Sequence, residues 1–63
     1  MTLKVRKMRR EREWSIDDLA QKAQVSPNTI YRIEHGENVD IRASTLLRIA
    51  HALGTTVANL IEE

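Results

Sequence analysis

Asn28, Tyr31 and Arg32 stand together in the stretch SPNTIYRIEHG, residues 26 to 36. An amide, a phenol and a guanidinium at this spacing make a contact set, but they contain no nucleophile and base. The rest of the chain offers no bond-breaking chemistry either. The two histidines, His35 and His51, fall in different helical segments, without the spacing of a catalytic set or a shared zinc site. There is no Cys, so neither a disulfide framework nor a thiolate ligand is available. No glycine-rich phosphate loop or paired-carboxylate motif occurs. Enzyme is therefore the weakest class, and no cofactor or metal is expected.

The segment holding the contact set is punctuated as a short helix. Ser26 can cap its N-terminus, Pro27 suits the first turn, and Gly36 suits the left-handed residue past the end. Only Ile30 and Ile33 within it are aliphatic, and they must face the core. Tyr31 and Arg32 then fall on other parts of the helix, and the exposed side becomes the working side.

Four further helices can be placed by apolar spacing. One near residues 3–13 has a weak stripe of Val5, Met8 and Arg12. One near 16–23 carries Ile16, Leu19, Ala20 and Ala23 at i, i+3, i+4 and i+7. Another near 43–53 repeats this with Leu46, Ile49, Ala50 and Leu53 and stops at Gly54. The last, near 57–62, has Val57, Leu60 and Ile61. No period-two alternation predicts a strand. The expected fold is all-α, five helices in one domain spanning 1–63. Val5, Met8, Leu19, Ala20, Val25, Ile30, Ile33, Leu46, Ile49, Ala50, Leu53, Leu60 and Ile61 are expected inside.

The helix starts share one grammar, a hydrophobic staple around the cap. Trp14 and Leu19 flank Ser15, with Asp18 completing a capping box. Val25 and Ile30 flank Ser26, while Ile41 and Leu46 flank Arg42, a poor cap. Trp14, the only Trp beside no Phe, reads as filler at the first helix junction.

A chain of 63 residues is one small domain near the lower limit for folding without a staple. No apolar run approaches the roughly 20 residues that span a bilayer, and the start MTLKVRKMRR has no apolar core typical of a secretory signal. A cytoplasmic protein with no membrane contact is expected. Net charge is +1, but unevenly placed. Residues 1–12 hold six Lys or Arg against one Glu, and the remainder holds four against eight Asp or Glu. The basic end is one an anionic polymer could feel, or simply a solvated helix face.

The second and third helices are joined by QVS, the spacing of a helix-turn-helix, over about residues 16–35. WSIDDLAQKAQVSPNTIYRIEHGE followed by TLLRIAHALGTTVANLIEE resembles the XRE-type, lambda-repressor-like (Cro-like) helix-turn-helix family across nearly the whole chain. The matching residues are LA in the second helix, VS..TI..IE.G through the third, and L..IA.ALG....L to the end. The resemblance implies a transcription regulator, such as a repressor, that binds double-stranded DNA sequence-specifically. Its second motif helix lies in the major groove, and dimers read paired half-sites.

Residue by residue, the resemblance puts Pro27, Asn28, Tyr31 and Arg32 at base-facing positions. It puts Arg9, Ser15, Ile16, Asp17 and Thr29 at phosphates, with Arg9 also pairing to Glu34. Asn can bridge adenine, Arg can bridge guanine, and helix N-termini offer amides to phosphate. The chain departs from the pattern at four places. Ile16 replaces a common Gln, so only its main chain can touch phosphate. Gln24 stands where the turn usually has Gly, at a cost of about 1 kcal/mol if left-handed. Pro27 can offer only apolar contact, as to a thymine methyl. The segment ENVDI is acidic where related domains often carry Lys or Arg, leaving Arg42 as its basic residue and a candidate phosphate ligand. That acidity favours a rival reading on the same fold, a protein-interaction module such as an antitoxin or adaptor. A weak homodimer through the C-terminal end is also expected, because Val57 and the helix end have little left to bury.

Overall fold

The computed structural model describes residues 2–36 and 41–62. Most of the acidic segment ENVDI, residues 37–40, therefore lies outside the described residues. In chain order the elements are β1 (Thr2–Leu3), α1 (Val5–Glu11), α2 (Ile16–Ala23), α3 (Pro27–Glu34), α4 (Ala43–Ala52), α5 (Val57–Leu60) and β2 (Ile61–Glu62). The fold is five helices with α2 at the centre, packed on both α3 and α4.

The helix starts follow the chain's punctuation. Ser15 and Asp18 form a reciprocal capping box, Asp18 N donating to Ser15 Oγ at 3.0 Å and Ser15 N to the Asp18 carboxylate at 2.8 Å. Ser26 Oγ accepts from Asn28 N at 3.2 Å, with Pro27 in the first turn of α3. Thr56 caps α5 in the same way, accepting from Asn59 N. Arg42 stands at the head of α4 without a side-chain cap bond.

The helix ends were less legible. Three share one closing pattern, in which a left-handed residue lets the next amide reach back five residues. Trp14 N donates to Arg9 O, Val25 N to Ala20 O, and Thr55 N to Ala50 O. The left-handed residues are Glu13 and Gln24, both at φ 57°, and Gly54 at φ 70°. Gln24 was anticipated from its place in the turn; Glu13 was not. At Gln24 this geometry closes α2 and aims the chain through Val25 and Ser26 into α3, so it sets the motif's corner.

Among the described residues, ten apolar ones form the core: Val5, Leu19, Ala20, Ala23, Ile30, Ile33, Ile49, Ala50, Leu53 and Leu60. Ala20 and Ala23 lie buried on the α2 face that packs on its neighbours, where small side chains permit close approach. Ala23 was missing from the expected core. Met8, Val25, Trp14 and Ile41 are half-buried and pack against it. Met8, Val25, Leu46 and Ile61 were expected inside and are only half-buried.

The C-terminal end differs from expectation in a second way. Helix α5 stops at Leu60, and Ile61 is extended at φ −86°, ψ 126°. Leu3 pairs with Ile61 and Thr2 with Glu62 in a two-residue antiparallel ladder, continued by Lys4 N donating to Leu60 O at 2.8 Å. Two residues are too few for an alternating pattern to register. Val57 packs against the core, so the apolar surface that motivated pairing of two copies here is smaller than expected.

Left-handed backbone at a residue with a Cβ costs about 1–2 kcal/mol. Gln24→Gly and Glu13→Gly are each expected to raise unfolding free energy by about 1 kcal/mol, after the greater chain entropy of glycine in the unfolded state. Urea titrations check this, and loss of stability in either variant would contradict the assignment of strain.

Candidate nucleic-acid interface

Helix α3 is only eight residues long, so its orientation must come from outside itself. Ile30 and Ile33 provide one anchor, at 0% and 7% exposure. At about 100° per residue, Pro27, Tyr31, Asn28 and Arg32 then sweep the opposite arc. All four are exposed, whereas Thr29 is half-buried at the edge of that arc. The four expected base-facing residues therefore share one accessible face.

The second anchor is an ion pair. Arg9 on α1 grips Glu34 at the end of α3 with both arms, Nε to Oε2 at 2.7 Å and Nη2 to Oε1 at 2.8 Å. Its remaining arm, Nη1, donates to Trp14 O at 2.7 Å. The Glu34 side chain has 0% exposure and that of Arg9 10%. Arg6 approaches Glu34 Oε1 at 3.4 Å from a side chain that is 47% exposed. Burial alone would push the Glu34 carboxyl up. The hydrogen bond and charge of Arg9, and then those of Arg6, outweigh it and hold the carboxyl below its ordinary value. The Glu34 hydrogen bond in turn raises Arg9.

This geometry bears on the phosphate set. Arg9 forms the expected pair with Glu34, but its guanidinium faces inward and little of it can reach a phosphate. Arg6 and Arg10, on the same helix, are exposed. Arg12, which gave the first helix its odd stripe, also turns inward. It donates to Met8 O at 2.7 Å and to Leu53 O at 2.6 Å, satisfying carbonyls at the ends of α1 and α4. With Lys22 it also lies over the Trp14 ring, at 5.8 and 4.9 Å from the centroid.

At the head of α2, Ile16 and Asp17 occupy the first turn, where amides have no acceptor within the helix. Ser15 is exposed, and its hydroxyl accepts from Asp18 N. Asp17 and Asp18 place two carboxylates at the same end, and hydrogen bonds from Ser15 hold the Asp18 carboxyl below its ordinary value. These carboxylates oppose an incoming phosphate, which the sequence reading did not weigh. Arg42 is exposed.

One feature of α3 was missed altogether. His35, one turn after Tyr31, stacks its ring on the tyrosine with centroids 3.9 Å apart. The i, i+4 spacing of two aromatic rings is the signal that could have shown it. Among the described residues no group of three or more His, Cys, Asp or Glu is placed to hold a metal ion, and no helix is long and apolar enough to cross a membrane.

Residues 4–62 match the Cro/C1-type helix-turn-helix DNA-binding domain. The chain belongs to this family. No curated protein matches the chain in sequence. Among solved structures, this Cro/C1-type domain is similar to a chain of the SinR protein/SinI protein complex, at 25% identity and a TM-score of 0.87, over 95% of this chain and 58% of that one. It is also similar to the clp gene regulator ClgR from Corynebacterium glutamicum, at 28% identity and a TM-score of 0.78, over 89% of this chain and 58% of the regulator. A third neighbour is apo-HppE, at 29% identity and a TM-score of 0.78, over 92% of this chain but 32% of HppE. The domain thus spans less than two thirds of each of these proteins.

Breaking a shielded ion pair leaves an unpaired charge and costs about 3–5 kcal/mol, close to the whole stability of about 3–9 kcal/mol for a chain this short. Arg9→Ala or Glu34→Ala should therefore leave much of the protein unfolded. Arg9→Met, Glu34→Gln and their combination make a measurable cycle, with the double variant recovering part of the loss. Because the Glu34 carboxyl is depressed, its contribution is complete above the ordinary carboxylate range of about pH 4–5. It is lost as pH falls through the lower folded-state value. Additive single effects, and the same acid sensitivity in Glu34→Gln as in wild type, would show that the pair does not act.

Proposed function

We propose that this DNA-binding domain is a non-enzymatic, sequence-specific transcription regulator that lays α3 in the major groove of double-stranded DNA. The observation carrying the proposal is the single exposed face of α3. It presents Pro27, Asn28, Tyr31 and Arg32 while Ile30, Ile33 and Glu34 tie the opposite side down. Asn28 reads adenine, Arg32 guanine, and Pro27 and Tyr31 supply apolar and aromatic contact. Ser15, the Ile16 and Asp17 amides, Thr29 and Arg42 hold phosphates, and Arg9 contributes by fixing α3. A cytoplasmic location is part of the same reading.

Two copies on a two-fold site, meeting weakly through the C-terminal end, fit the docking of this motif class. Sedimentation showing one chain per duplex on a selected site would exclude the pairing. The rival reading, an antitoxin or adaptor that binds protein, gains support from the SinR protein/SinI protein complex among the structural neighbours. The modest net charge of +1 fits either.

Base and phosphate contacts should fail differently on duplexes selected from a random pool. Asn28→Ala or Arg32→Ala is expected to cost about 1–3 kcal/mol and relax preference at one base pair. Arg42→Ala should weaken all sequences alike and flatten the salt dependence by about one unit of slope. Unchanged site preference after Asn28, Tyr31 and Arg32 are replaced together would mean that α3 is not the reader.

A further inference from the structure

Tyr31 is 46% exposed, and a ring that accessible ordinarily samples several rotamers. Here it is held. The His35 imidazole lies against it at a centroid distance of 3.9 Å and an interplanar angle of 22°. The imidazole is itself pinned, with His35 Nδ1 2.8 Å from Tyr31 O. A carbonyl oxygen can only accept, so Nδ1 carries the proton and donates. The same carbonyl also accepts from the His35 main-chain N–H at 3.0 Å. His35 closes α3, and Gly36 follows at φ 68°.

We infer that His35 is a positioning residue, which locks the Tyr31 ring on the reading face of α3 so that it meets the C5-methyl group of a thymine. The inference rests on α3 being the reader. The imidazole covers one face of the tyrosine ring, and Tyr31 as a whole stays 46% exposed. An apolar surface in the major groove distinguishes thymine from other bases by that methyl group. A ring already fixed in one orientation gives up less freedom on binding than a mobile one.

The test uses the duplex selected by the wild-type chain and a copy in which deoxyuridine replaces thymine, one position at a time. Only a methyl group is removed. At the position whose preference Tyr31→Ala relaxes, wild type should bind the thymine form about three- to fivefold more tightly. His35→Ala should lose most of this ratio, and His35→Phe, which restores a stacking ring, should regain it. Thermal unfolding of both variants verifies that they fold. A residue with a purely structural role would weaken the thymine and deoxyuridine forms equally. Equal weakening, or an unchanged ratio in His35→Ala, overturns the inference. So does a selected site in which Tyr31→Ala affects no thymine. If the joint replacement of Asn28, Tyr31 and Arg32 leaves site preference intact, the reader assignment fails first and this inference with it. If preference is lost there but His35→Ala behaves as wild type, only the inference fails.

Discussion

The Glu34 carboxylate has no exposed surface, and a charge in that position cannot exist without a partner. Arg9 supplies one with two parallel hydrogen bonds, a geometry that fixes direction as well as distance. The third arm reaches the Trp14 carbonyl, in the turn between α1 and α2. One guanidinium thus ties together the first helix, the entry to the second and the end of the third. Replacing such a pair with well-packed apolar residues can be neutral for stability. Its value here is directional, because two turns of helix anchored only by Ile30 and Ile33 could still roll. With Ser26 and Pro27 setting the start and Glu34 the end, the outward arc of α3 is fixed.

The same constraint redistributes charge. The basic N-terminal segment read either as an end that an anionic polymer could feel or as a solvated helix face, but Arg9 and Arg12 spend their guanidinium groups inside the fold. Arg6, Lys7 and Arg10 are exposed, while Asp17 and Asp18 stand at the head of α2. Non-specific affinity for DNA scales with the phosphates a protein neutralises. On the proposed reading, a domain so balanced relies on the fit of α3 in a groove more than on charge.

Much of this was legible because local signals agreed. Ser15 with Asp18, and Ser26 with Pro27, marked helix starts that the structure keeps, and the spacing of Leu19, Ala20 and Ala23 placed α2 on its residues. The left-handed Gln24 was raised by the family resemblance, which usually has Gly at that place in the turn. The losses have physical causes. Glu13 carries no local mark of positive φ, since only glycine advertises that conformation. Arg12 occupied an apolar stripe position that made sense only once the carbonyls of Met8 and Leu53 were seen converging on it. The two-residue ladder lies below the length at which alternation can be read. Arg9 was given two roles by the resemblance, and the structure shows the pairing with Glu34. The Tyr31–His35 stack went unread because two rings at i, i+4 on a polar helix look like ordinary surface.

The central claim is that α3 occupies the major groove, and methylation interference on the selected duplex addresses it most directly. Methylation of guanine N7 modifies the major groove, and methylation of adenine N3 the minor groove. The account predicts interference at guanine N7 within the site, with the strongest such position lost when Arg32→Ala is used in place of wild type. Interference confined to adenine N3, or a guanine N7 pattern unchanged by Arg32→Ala, would contradict it.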